Sequence, residues 1–228
     1  MSINLIQLVA QAAKQKSTTD QVFGTVSQLK AVSEAAVTYL SQGLMPVPVP
    51  LGHIGPQIKG WPHFQCTFAT IPKFFCGKCN ISILTGAPSG GLVDIDVDSP
   101  SARLLAPHFL PHTNCVFGRL SPHTSHYLYR VSEPMKSKKY SISDGPNPGV
   151  IVEIRGDGHL TMAPPSVHPK GGTVQFAAGR AGLPTVVDRD LLERSVMLLA
   201  MATTIYEVWP AKSGNRQDLA LALAGALT

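Results

Sequence analysis

Apolar residues recur every third or fourth position through Ile3, Leu5, Ile6 and Val9, and again through Val26, Leu29, Val32, Ala36 and Leu40. That spacing predicts amphipathic helices over 3–14 and about 25–41. From residue 80 onward the pattern shifts to short apolar runs bounded by turn formers. It predicts strands over Asn80–Thr85, Leu92–Asp98, Cys115–Phe117, His126–Val131, Val150–Ile154, Leu160–Ala163 and Thr173–Phe176. Between the two regimes, GLMPVPVPLG carries prolines at 46, 48 and 50 and allows an extended edge segment at most. SPSARLLAPHF opens on a serine suited to cap one short helix, and Asp188–Val208 reads as a long one. SGNRQDLALALAGALT reads as a linker running into a further helix. Helices, a strand-rich middle and helices again indicate an α+β layered fold.

One strand breaks the expected chemistry. In GLVDIDVDSP (91–100), Val93, Ile95 and Val97 form one face while Asp94, Asp96 and Asp98 fall on the other. Aspartate is a poor strand former. Successive carboxylates on one face stand about 7 Å apart and repel. The pattern costs stability unless something cationic sits against it, and a divalent cation is one candidate.

Composition limits the rest. The chain has 228 residues, 44% hydrophobic and 14% charged, enough for a sizeable core. A formal charge of +5 and pI near 9.1 lean towards an anionic partner. Lys136, Lys138 and Lys139, with Arg130 upstream, read as a basic loop suited to phosphates. The longest apolar stretch, Ser195–Trp209, carries Glu207 and two threonines, so no membrane span is expected. The N-terminus lacks the apolar core of a signal peptide, which makes the cytoplasm, of a host cell if the chain is viral, the default expectation. The four cysteines are then expected as thiols, and CGKC (76–79) without a second C-x-x-C favours ordinary thiols over structural zinc. GAPSGG (86–91) lacks the G-K-[ST] of a phosphate-binding loop and reads as a turn joining two strands.

Two further stretches carry chemistry. VIVEIRGDGHLTMAPPSVHPKGG (150–172) places Glu153 inside a buried-looking strand, followed by Arg155 and a tight Gly156-Asp157-Gly158 turn. A glutamate there needs a partner, either a base such as Arg155 or a metal. SPHTSHYLYRV (121–131) sets His126 at the start of an apolar strand, with Thr124 two residues earlier expected on the same side of an extended chain.

Taken in order, NISILTGAPSGGLVDIDVDSP, FGRLSPHTSHYLYRV and VEIRGDGHLTMAPPSVHPKGG resemble the primase–polymerase domains of the archaeo-eukaryotic primase superfamily, in the branch found on plasmids, phages and other mobile elements. IKGWP (58–62) and the tail SGNRQDLALALAGAL (213–227) are similar to family segments too, so the resemblance spans about residues 30–228. Glu153 stands where many members have Asp, and Thr124 where Ser is usual. The resemblance implies an RRM-like antiparallel catalytic sheet packed with an N-terminal α/β unit and followed by helices. It implies residues 1–210 as the catalytic domain, and 211–228 as a linker and the start of a helical module that is truncated here. It further implies that Asp94, Asp96 and Glu153 hold two Mg2+ or Mn2+ ions and that His126 contacts a nucleoside triphosphate, with Thr124 and Arg155 nearby. Arg119 and Lys59 become lesser contacts to phosphate or template, and Asp98 is left out as a primary ligand. On this reading the aspartate repulsion is relieved only when metal and nucleotide arrive. The implied partners are template and primer DNA, nucleoside triphosphates, and a helicase domain further along a longer protein. The implied activity is DNA polymerisation and priming. Two rival readings of the same acids are a non-catalytic nucleic-acid-binding module and a metal-dependent nuclease.

Overall fold

The computed structural model describes residues 31–119, 123–143 and 148–209. The helices expected at 3–14 and 213–227, and residues 25–30 of the second helix, lie outside the described residues. The chain divides into two compact units, one formed by 1–84 with 160–175 and the other by 85–159 with 176–228.

In the first unit, helix α1 is described over 31–41. It is followed by strands β1 (Met45–Pro50) and β2 (Cys79–Leu84), a short helix α2 (Ile71–Phe74) between them, and β8 (Leu160–Met162) from late in the chain. The strands form an antiparallel sheet in the order β1-β2-β8. Alternate N–H groups of a strand point to opposite sides, so prolines at 46, 48 and 50 remove donors from one side only. The remaining residues pair with β2, from Met45 against Leu84 to Val49 against Asn80, while Val47 and Val49 are fully buried. β1 is therefore an edge strand, as its prolines require. Around buried β2, the Ser166 hydroxyl donates to Ile81 O at 2.9 Å and the Asn80 amide donates to Val167 O at 2.7 Å.

The second unit holds the larger sheet. Its strands are β3 (Leu92–Val97), β4 (Cys115–Gly118), β5 (His126–Arg130), β6 (Lys138–Ile142), β7 (Gly149–Arg155), β9 (Gln175–Ala181) and β10 (Thr185–Val186). They run β6-β7-β3-β5-β4-β9, with β10 pairing in parallel to the end of β5. Every residue of β3 is buried, and its two neighbours, β5 and β7, are antiparallel to it. Helix α3 (Pro100–Phe109) starts where the Ser99 hydroxyl accepts from Ala102 N at 3.0 Å, the cap expected of that serine. Helix α4 (Arg189–Val208) starts where the Asp188 carboxylate accepts from Leu191 N at 2.8 Å. Val93, Ile95 and Val97 share one core with Tyr127, Tyr129, Val152 and Ile154 and with Ala102, Ala106, Leu192, Val196 and Leu199 of the helices. The helices thus cover the odd-numbered face of β3, and Asp94 and Asp96 belong to the opposite face.

Several elements depart from the sequence expectation, the unforeseen short helix α2 among them. Lys138 and Lys139 lie in a strand, β6, and not in a loop. The strand expected at Thr173–Phe176 begins at Gln175 and runs to Ala181. β10 was not foreseen. The turn before β3 is as expected, and Gly86 at its start has φ 78°, with no room for a Cβ beside Asp157, whose Oδ1 accepts from Ala87 N. Among the described residues, no helix is long and apolar enough to cross a membrane.

Candidate active site

Antiparallel register decides which side chains meet. Residues directly opposite each other share a face of the sheet. Asp96 stands opposite Glu153 of β7 on one side and His126 of β5 on the other, and Asp94 stands opposite Arg155. Lys139 of β6 stands opposite Glu153. One face of four neighbouring strands therefore gathers three acids, an arginine, a histidine and a lysine.

The acids are almost wholly removed from water: Asp94 is 0%, Asp96 4% and Glu153 7% exposed. Buried carboxylates are expensive unless paired, and each is paired. Arg155 hydrogen-bonds Asp96 through Nη2 and Glu153 through Nε at 3.1 Å, and its Nη1 lies 3.8 Å from Asp94. His126 Nδ1 lies 3.0 Å from Asp94 Oδ2 and 3.5 Å from Asp96 Oδ1. Lys139 Nζ lies 3.3 Å from Glu153 Oε1. The imidazole stacks on Phe117, centroids 5.1 Å apart, and Phe117 meets Phe176 edge-on.

This network perturbs protonation. Burial alone would lower the His126 pKa, but the Asp94 and Asp96 charges and the Asp94 hydrogen bond outweigh it and raise it to about 9. Burial pushes the Asp96 carboxyl up to about 6, against the opposing pull of His126 and Arg155. The arginine is held firmly charged by Asp94, Asp96 and Glu153, which overcome its burial. At neutral pH the acids thus already have cations upon them. The expectation that their repulsion waits for metal and nucleotide is corrected: Arg155 and His126 relieve it within the chain itself.

The structure brings together Asp94, Asp96, Glu153, His126 and Arg155. Thr124 lies ahead of β5 and its hydroxyl bonds Tyr127, a member of the helix-side core, so the expected alignment with His126 does not form. Arg119 is half-buried, one residue past β4. Lys59 is exposed in a turn of the first unit. Asp98 is exposed just beyond β3. Two members of the site were missed in the sequence, Lys139 and the Phe117 platform. The alternation of Lys139 and Ser141 with Tyr140 and Ile142 was the available signal for the first.

Oxygen donors from three clustered carboxylates suit a hard divalent cation. Among the described residues no three His, Cys, Asp or Glu are disposed to hold one, since the acids face Arg155 and His126. Three carboxylates are the donor chemistry such an ion takes, and here Arg155 and His126 engage their oxygens. The four cysteines are free, with burial pushing the Cys79 thiol up to about 11.

A family model described as bifunctional DNA primase/polymerase, N-terminal, matches residues 36–193, a span that includes every member of the cluster. No curated protein matches the chain.

Proposed function

The chain belongs to the bifunctional DNA primase/polymerase family, and from that membership we propose that it performs template-directed nucleotidyl transfer, extending and starting DNA strands in the replication of a phage or other mobile element. The observation that supports this reading most is the register that sets Asp94, Asp96 and Glu153 together on buried strands. In this reading those three carboxylates hold two Mg2+ or Mn2+ ions. When bound, such ions activate a hydroxyl nucleophile and neutralise the departing pyrophosphate.

The chain's own residues prepare that chemistry. His126 and Arg155 are charged donors whose side chains are 19% and 24% exposed, so both can be reached by a substrate. A triphosphate offers them anionic oxygens in exchange for those of the acids. The exchange leaves the carboxylates open at the moment the substrate arrives, which couples nucleotide binding to completion of the site. Phe117 keeps the imidazole plane fixed during the exchange. Arg119 and Lys59 remain proposed contacts to phosphate or template; of the two residues expected beside His126, Arg155 keeps the nucleotide role and Thr124, bonded to Tyr127, leaves it.

Primer extension on templated DNA with dNTPs and either ion tests the reading. Incorporation that requires template and metal, and that is abolished in Asp94→Asn, Asp96→Asn and Glu153→Gln, is expected. DNA binding without incorporation would reduce the chain to a binding module. Degradation of DNA in the absence of nucleotides would make it a nuclease.

A further inference from the structure

A cavity of about 520 Å3 opens on the helix-covered side of the large sheet, behind the strand face that carries the acids. Its size lies within the range of roughly 300–1,000 Å3 usual for small-molecule sites. Val116, Tyr127 and Ala177 of the core line it, together with the end of α3 and the segment that follows. Leu110, Pro111 and Val116 supply an apolar wall. Arg180, His112 and His123 supply nitrogen groups, and none of its described lining residues is a carboxylate.

Arg180 and His123 are held in place. Arg180 uses Nη1 to donate to Thr113 O, which leaves most of its donor fork for a ligand. Thr113 is committed to the scaffold, its hydroxyl donating to Leu128 O at 2.7 Å and accepting from Cys115 N at 3.3 Å. His123 is fixed by an Nδ1 contact of 3.0 Å to Gly118 O. A guanidinium accompanied by two imidazoles offers more donors than a carboxylate can use and matches the oxygens of a phosphate. The apolar wall calls for a ring attached to that phosphate.

We propose that this cavity is a nucleoside-phosphate site separate from the carboxylate cluster, taking the phosphate on Arg180, His112 and His123 and the base against Leu110, Pro111 and Val116. The ligand is either a free nucleotide or the terminal nucleotide of a strand. Its occupant sits behind β5, where Tyr127 lines the cavity and the adjacent His126 faces the acids. The site goes beyond the transferase reading and does not require it.

Titration calorimetry of the full chain in EDTA, which keeps metal from the acids, tests the proposal. The probes are dATP and a 5′-phosphorylated single-stranded oligonucleotide. Wild-type protein should bind at least one of them. Ala178→Trp, which fills the cavity from an exposed wall position, and Arg180→Ala should each weaken binding about tenfold or more, the loss of one charge-assisted anchor. Loss limited to dATP identifies a free-nucleotide site, and loss limited to the oligonucleotide identifies a strand-end site. Should either variant fail to melt like the wild type, His112→Gln, on an exposed side chain, is read in its place. Wild-type protein that binds neither probe, or undiminished binding in well-folded cavity variants, would overturn the proposal. Extension activity does not enter the readout, so this result and that of the primer assay stand apart.

Discussion

Removing the guanidinium of Arg155 leaves Asp96 and Glu153, 4% and 7% exposed, without their nearest counter-charge. Breaking a buried pair in this way destabilises strongly. Arg155→Met is expected to cost about 3 kcal/mol in metal-free buffer, the low end of the usual range because Arg155 is itself partly exposed. Asp96→Asn should behave oppositely. Its carboxyl is pushed up to about 6, so its charge at pH 7 is a net burden on the fold. The melting temperature should hold or rise while extension is abolished. Denaturant melts in EDTA beside primer extension separate the two. His126 adds a pH signature. Its folded pKa of about 9 lies above the ordinary 6.5, so its contribution is full below 6.5 and is lost as pH rises through 9. That contribution is on the order of 3 kcal/mol. Asp96 acts in a lower window, its folded-state proton being lost between about 3.8 and 6, and leaves the fall above 6.5 to His126. Metal-free stability should therefore fall between pH 6.5 and 9.5, and His126→Gln should flatten that fall. An unchanged slope in the variant would place the proton elsewhere. Asp94, Asp96, His126, Glu153 and Arg155 could be read from the chain, but Lys139, Phe117 and the pairing among them all could not. Which residue stands opposite Asp96 is a matter of register between segments about 30 and 57 residues apart, settled by the whole sheet.

The strands that were legible are those where local preference and burial agree. β3, β5 and β7 are rich in β-branched and aromatic residues and occupy the centre of the sheet. β9, with the sequence QFAAGRA, has little intrinsic strand preference and owes its conformation to pairing beside β4. β6 hid behind its lysines. Lys138 pairs with Glu193 at 3.3 Å and lies over the Tyr140 ring, and Lys139 pairs with Glu153. Edge strands commonly carry lysine, so the same residues that suggested a loop suit a strand at the border. Helix α3 was readable from its cap, and the cap gives a clean prediction. Ser99→Ala removes the acceptor for Ala102 N and should cost about 1 kcal/mol. Extension at saturating nucleotide should survive, because Ser99 touches none of the acids. A denaturant midpoint equal to wild type would show that the cap contributes nothing.

For the whole molecule, the charge of +5 gives a term that no single loop carries. DNA binding should weaken linearly in log affinity against log salt and should depend little on sequence. Because Lys138 and Lys139 are engaged with Glu193 and Glu153, the double change Lys138→Ala, Lys139→Ala should leave the salt slope nearly unaltered. A slope reduced by about two, one for each lost phosphate contact, would restore these lysines to the DNA surface. The family is legible in the sequence because its motifs are short and local. The N-terminal unit was expected too, but the return of Leu160–Gln175 to it from beyond the large sheet's strands was not, since nothing local marks that crossing.

The prolines of β1 have a consequence for many copies of the protein together. Proteins at high concentration grow fibrils by adding strand to exposed strand, and each addition needs donors along the free border. Residues 46, 48 and 50 have none to give, so β1 stops such growth at its first step. Pro46→Val, Pro48→Val, Pro50→Val, made together, keeps the inward pairing and restores a border of three donors. Prolonged warming should then turn a clear solution cloudy in light scattering, while the natural sequence stays clear.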